Sequence, residues 1–165
     1  MTRRRPLAIS RILFIAVGVL WLLIGLATPW ASERSAGRGG MFLTHDTDLA
    51  LYGAEPQKLL ATRPDLLTLR RTVFRVIAGL FVAAGILVIG VAWFGLRSRS
   101  PWALGLLTVV GLAVLPYWWI ALAPYRAAGI KLPLSVVPPF MWVPGLLAPL
   151  ASLIGWIDIV RKGTQ

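Results

Sequence analysis

The chain of 165 residues contains no cysteine and no asparagine. The lack of cysteine excludes thiol redox chemistry, palmitoylation and cysteine-ligated zinc, and the lack of asparagine excludes N-linked glycosylation. Charge is scarce as well, because 14% of the residues are charged against about 25% in soluble domains. So little polar surface could not coat a water-soluble globule, and the composition therefore predicts a membrane protein.

Hydrophobic residues make up 58% of the chain and gather in four long runs. Each run holds about 20 residues, which is enough for a helix to cross a hydrocarbon core of about 30 Å. The short alternating segments that build a membrane barrel are absent from the sequence. The sequence predicts an all-α fold: a four-helix bundle in a single transmembrane domain, with spans at about 12–30, 76–96, 102–123 and 138–160.

Basic residues flank these runs and give the chain a net charge of +11. One face of the predicted bundle collects Arg3, Arg4, Arg5, Arg11, Arg97, Arg99, Arg161 and Lys162. Basic flanks favour the cytoplasmic side, so both termini are predicted to be cytoplasmic, although Arg70, Arg71 and Arg75 lie on the opposite face. The excess of arginine over lysine suggests a high-GC bacterial genome, and the bacterial inner (plasma) membrane is the predicted location. Anionic lipid head groups, and no nucleic acid, are the predicted partners.

Residues 31–72 form the one long polar connection between the predicted spans. Short helices are expected to begin near Asp46, at Glu55 and at Pro64, where acidic residues or prolines suit a first turn. The first of these helices should end at Gly53, and the last should continue directly into the second span. We expect a small helical cap on the extracytoplasmic end of the bundle.

Residue types within the spans also predict how the helices pack. Small residues four positions apart allow close approach in lipid; the pairs are Gly79 with Ala83, Ala148 with Ser152, and Ala151 with Gly155. Pro144 and Pro149 lie inside the fourth span and predict a kink or a partial break there. Tryptophans cluster near the predicted span ends, as in an interfacial belt, and Trp21 alone lies mid-span.

Arg71 and Arg75 are four residues apart and therefore share a helix face. Two like charges on one face repel unless an anion lies between them, and the arginine fork suits a phosphate or carboxylate. One interpretation is a pair of anchors that bind ordinary lipid phosphates at the interface. The other is a specific site for an anionic head group under the cap, with Trp118, Trp119 and Tyr125 as its further walls.

His45, Asp46 and Asp48 place three potential metal ligands within four residues. The alternative is a solvated loop with a helix cap, which we favour because no further ligands or supporting shell are evident. No cofactor is predicted. Asp158 is the one acidic residue in any predicted span, and Arg161 three residues later predicts a terminal ion pair rather than a proton relay.

Residues 50 to 105 carry a pattern that runs Leu51-Tyr52-Gly53, Leu59-Leu60, Pro64, Gly79, Gly85, Ala92-Trp93-Phe94-Gly95-Leu96-Arg97 and Trp102-Ala103-Leu104. This stretch resembles small bacterial four-helix membrane proteins of the DoxX-like kind, most of which are uncharacterised. The resemblance implies a four-helix bundle and no assigned reaction. Some members of that group are linked to redox or quinone-associated complexes, but this chain has no cysteine or buried histidine that would support such a role.

Three functions remain open at this point. The first is a non-enzymatic membrane protein that binds lipid or a partner protein, including another copy of itself. The second is an enzyme or carrier that acts on an amphipathic anionic lipid at a pocket near Arg71 and Arg75. The third is a small dimeric transporter, although the first span lacks the acidic residue that small four-helix exporters use. An acid or base pointing into the pocket would favour catalysis, and a lining of arginine and aromatic residues would favour binding.

Overall fold

The computed structural model describes residues 5–37, 41–133 and 139–163. All regular elements within these ranges are helical, and the predicted all-α fold is confirmed. The helices are α1 (Arg5–Gly37), α2 (His45–Tyr52), α3 (Pro56–Thr62), α4 (Pro64–Gly90), a π-helix (Val91–Gly95), α5 (Pro101–Ala121), α6 (Ala123–Ala127) and α7 (Pro139–Gly163). The predicted basic residues at positions 3 and 4 and the predicted span start at 138 lie outside the described residues.

Four of these helices are long and apolar enough to cross a membrane, as predicted. They are α1, α4 together with the π-helix, α5 and α7. Helix α1 continues to Gly37, about two turns beyond the predicted end of the first span, and α4 begins at Pro64 and runs without interruption into the second span. The polar connection between the two spans is therefore shorter than residues 31–72.

Helix α1 packs against both α4 and α7, and α5 packs against α7. Glycines bring α1 and α4 together: a Cβ on Gly85 would lie 2.7 Å from the backbone oxygen of Gly18, and a Cβ on Gly18 would lie 2.9 Å from the oxygen of Gly85. The close approach of the two backbones adds dispersion contacts between α1 and α4, and larger residues at these positions would keep the helices apart.

The small-residue faces predicted in the last span are buried, since Ala148 and Ala151 are inaccessible to solvent and a Cβ on Gly155 would press against Leu104. The predicted pair on α4 points elsewhere, because nothing lies within 4 Å of a Cβ placed on Gly79. Helix α7 also remains helical through both of its internal prolines, so the last span is not broken.

The two ends of the bundle differ in character. The Ser10 hydroxyl donates to the Ala151 carbonyl at 2.7 Å, which places the start of α1 beside the second half of α7. We call this end, which holds the beginning of α1 and the end of α7, the terminal face. The opposite end carries α2, α3 and α6 and is called the cap face. Helix α2 ends at Gly53 (φ 66°) as predicted, but its N-cap is Thr44 rather than Asp46.

Candidate functional site

A buried carboxylate organises the cap face. Asp48 is fully buried, and its Oδ2 accepts backbone N–H groups from Met41 at 2.7 Å, Phe42 at 2.8 Å and Leu43 at 3.2 Å. The Tyr125 hydroxyl of α6 donates to the Oδ1 atom at 2.6 Å. Four donors therefore surround one carboxylate, which compensates the cost of removing its charge from water.

Arg70 of α4 holds the same segment from the other side. Its Nε donates to the Met41 carbonyl at 2.9 Å and a terminal nitrogen donates to the Ser32 carbonyl of α1 at 2.8 Å. The guanidinium also lies 4.7 Å from the centre of the Phe74 ring. The backbone N–H of Met41 thus binds the Asp48 carboxylate, and its backbone carbonyl binds the Arg70 guanidinium. This network connects α1, α2, α4 and α6.

The tyrosines of the cap stay protonated well into the alkaline range. Burial, together with the hydrogen bond to Asp48, raises the pKa of the Tyr125 phenol. Burial and the nearby negative charge of Asp48 also raise the pKa of Tyr52. A protonated phenol can donate the hydrogen bond that the Asp48 carboxylate accepts from Tyr125.

Helices α4 and α5 leave a groove between them. They are joined at the terminal face, where Gly95 of the π-helix packs directly on Ala103, but α4 then follows α1 while α5 follows α7. Toward the cap face the two helices therefore diverge and make no extended contact. Two adjoining cavities of about 240 and 480 Å³ fill this space and share Ile77, Phe81 and Val114 as walls.

The groove is apolar along its length. Trp21 of α1 forms its floor and Ala84 lines its deep end, while Phe42 of the cap and Trp118 close it at the cap face. From Ile77 to Ala84 the groove follows α4 for about 10 Å, at 1.5 Å per residue. The lining among the described residues includes one titratable group, the phenol of Tyr117 at the cap end.

The predicted anion-binding arginines have separate surroundings. Arg71 forms a two-point ion pair with Glu33 of α1, with N···O distances of 2.8 and 3.0 Å. Glu33 of the same chain thus supplies the negative charge that the sequence alone predicts an anionic ligand to bring to Arg71. Arg75 is exposed one turn further along α4, and neither arginine lines the groove beside Trp118.

The predicted aromatic walls also divide into two groups. Tyr125 and Trp118 pack together with Leu43 in a small apolar cluster beneath the cap. Trp119 points outward, with 67% of its surface exposed, and the Arg126 guanidinium lies 3.5 Å from the centre of its ring. Such an exposed arginine and tryptophan pair suits the interface between lipid and water.

The three potential metal ligands do not converge. His45 and Asp46 are exposed on α2, whereas Asp48 is turned inward and occupied by backbone amides. Across the described ranges, no group of three or more His, Asp or Glu side chains is placed to hold a metal ion.

Arg70 and Trp21 were not singled out as site residues from the sequence, yet both have central positions. A signal was present for Arg70: it lies seven residues before Ile77 and eleven before Phe81, so it continues the apolar row of α4 that faces the groove. For Trp21 the signal was its mid-span position, away from the tryptophan belt. The contact between Asp48 and Tyr125 had no local signal, because the two residues are 77 positions apart.

Comparison with protein families, with curated proteins and with solved structures gives no match for this chain. The resemblance to DoxX-like proteins therefore stays a prediction, and any functional argument depends on the geometry of the site.

Proposed function

We propose that this protein is a non-enzymatic membrane protein that binds a lipid by holding its hydrocarbon chain in the groove between α4 and α5. The observation that carries the proposal is the divergence of these two helices, which leaves an apolar groove of membrane-facing residues instead of a packed interface. The larger of its two cavities, at about 480 Å³, falls in the range of roughly 300–1,000 Å³ that is typical of ligand pockets.

The physical basis for selectivity is shape rather than hydrophobicity. Bulk lipid tails are as apolar as the groove, so a bound chain gains little by leaving them, and dispersion contacts have to make the difference. The aromatic faces of Trp21 and Phe81 provide rigid walls for such contacts. At the cap end, the Tyr117 phenol offers a hydrogen-bonding group at the level where a lipid head group would lie.

The ionisable residues of the cap support binding over catalysis in this proposal. The Asp48 carboxylate is occupied by four donors, and the Arg71 guanidinium is occupied by Glu33. A catalytic acid or base would need a free proton-accepting or donating position within reach of a substrate. We place the protein in the bacterial plasma membrane with both termini cytoplasmic, on the strength of the basic residues at the terminal face.

Native mass spectrometry of the delipidated protein, titrated with defined phospholipids in mild detergent, tests the proposal. Ala84→Phe fills the deep end of the groove, and Ala83→Phe is the matched control because Ala83 is exposed and does not line the groove. We expect the Ala84 variant to bind one phospholipid fewer than Ala83→Phe, while both variants keep the wild-type thermal midpoint within a few degrees. Equal lipid retention by the two variants would overturn the proposal. A dimer that replaces the lipid adduct would overturn it in favour of a second copy as the occupant.

A further inference from the structure

A separate cavity lies at the opposite end of the molecule, on the terminal face. It has a volume of about 340 Å³ and lies between the first turns of α1 and the turn that joins the π-helix to α5. In the part of the chain that the structure describes, its walls are three arginines and three apolar residues: Arg11, Arg97, Arg99, Leu7, Ala8 and Leu96. It shares no residue with the groove of the proposed function.

The charge of this cavity is uncompensated by its own walls. Among the described residues, no acidic residue lines it and no ion pair is formed by Arg11, Arg97 or Arg99. The Arg11 guanidinium lies 5.7 Å from the centre of the Trp93 ring. The acid at this end of the bundle, Asp158, lies on α7 outside the cavity walls and has an interaction of its own. Three like charges around one cavity repel each other unless an anion lies among them.

The backbone places Arg99 in this cavity at a conformational cost. The turn closes with hydrogen bonds from the Ser100 N–H to the Gly95 carbonyl at 3.0 Å and from the Arg99 N–H to the Leu96 carbonyl at 3.2 Å. In such a turn the residue at position 99 is left-handed, and its φ of 57° is one that glycine usually supplies. Arginine is unfavourable here on backbone grounds, which points to a use for its side chain.

We infer that this cavity binds the phosphate of an anionic phospholipid. Arginine forks match the oxygens of a phosphate, and basic pockets between membrane helices suit anionic head groups. The cavity has apolar walls in Leu7 and Leu96, which are both buried, and Phe94, two residues before Leu96 in the sequence, exposes 73% of its surface. A free phosphate would use the arginines alone, whereas a phospholipid would use both kinds of wall.

Arg99→Gly is the decisive variant, because it removes the guanidinium and relaxes the backbone, so the protein should fold at least as well as wild type. Delipidated protein in mild detergent is titrated with phosphatidylglycerol, phosphatidylcholine or inorganic phosphate, and adducts are counted by native mass spectrometry. We expect wild type to prefer phosphatidylglycerol, and Arg99→Gly to weaken that binding about ten- to hundredfold. Arg75→Gln removes the same charge at the cap face and should leave the binding unchanged.

Two further comparisons distinguish a lipid phosphate from free phosphate and locate the site on the protein. Tight binding of inorganic phosphate without a preference for phosphatidylglycerol over phosphatidylcholine would overturn the lipid assignment. Phosphatidylglycerol binding that is equal in wild type, Arg99→Gly and Arg97→Gln would overturn the site itself. Ala84→Phe should retain this binding, so failure of the groove proposal and failure of this one are distinguishable.

Discussion

Replacement of Asp48 by asparagine keeps the shape of the side chain and removes its charge, and it should loosen the cap. At best the new amide keeps the backbone donors on its oxygen and turns its NH2 group toward the Tyr125 hydroxyl. Every bond around it is then neutral, and neutral hydrogen bonds are about half as strong as charge-assisted ones. The Arg70 guanidinium on the far side of Met41 also loses the opposite charge that faces it.

The magnitude follows from the four donors. Hydrogen bonds to a charged group contribute about 1.5–3 kcal/mol each, so halving four of them removes at least about 3 kcal/mol. Such a loss would raise the population of the opened cap by roughly a hundredfold. The effect should be local, because the helices of the bundle keep their own packing.

Hydrogen–deuterium exchange in detergent is the direct assay, since the amides of residues 41–43 donate to the Asp48 carboxylate. We expect these three amides to exchange roughly a hundredfold faster in Asp48→Asn. Asp46→Asn is the matched control, because it makes the same change two residues away on an exposed position and should alter exchange little. Unchanged exchange at residues 41–43 in Asp48→Asn would refute the assigned role of this carboxylate.

Three further predictions concern packing, pH and metals. Gly85→Ala should lower the thermal midpoint in detergent, since a Cβ 2.7 Å from the α1 backbone costs about 1–3 kcal/mol. Gly79→Ala is the control, because the space around its Cβ is open, and it should leave the thermal midpoint unchanged or raise it. Equal shifts of the thermal midpoint in the two variants would contradict the glycine interface. Above about pH 10 the Tyr125 phenol of the unfolded chain releases a proton that folded Tyr125 retains, so the free energy of unfolding should fall as pH rises. Tyr125→Phe should flatten the plot of thermal midpoint against pH in this range. Addition of Zn²⁺ or Mn²⁺ should not change the thermal midpoint. A saturable rise in the thermal midpoint that Asp46→Asn abolishes would contradict this prediction and show that His45 and Asp46 bind a metal ion.

The fold was predictable because the bilayer dictates it. Apolar runs of fixed length are a one-dimensional signal, and they correctly indicated four helices that are long and apolar enough to cross a membrane. The local chemistry of Gly53 likewise gave the end of α2, that of Glu55-Pro56 gave the start of α3, and that of Pro64 gave the start of α4. Helix α1 was underestimated because Glu33 and Arg34, which follow the apolar run, look like the start of a loop although the helix continues to Gly37.

The site was only partly predictable because it depends on which helices are neighbours. Trp118 and Tyr125 were placed at the cap face from the sequence, but the order of the helices was needed to show that α4 and α5 diverge. The same holds for Arg71, whose partner Glu33 lies 38 residues away on α1. A pair of arginines at helical spacing predicts attraction for an anion, but it does not reveal that this anion is the carboxylate of Glu33 in the same chain.

Photochemical mapping with a phospholipid that carries a diazirine in its acyl chain tests the central claim most directly. The protein is solubilised in mild detergent with the probe, irradiated and digested, and the labelled residues are located by mass spectrometry. If the groove holds a lipid chain, adducts should concentrate on Ile77, Phe81 and Val114, and Ala84→Phe should remove them. Adducts spread evenly over exposed positions outside the groove, such as Leu87 and Val109, with no change in the variant, would contradict the account.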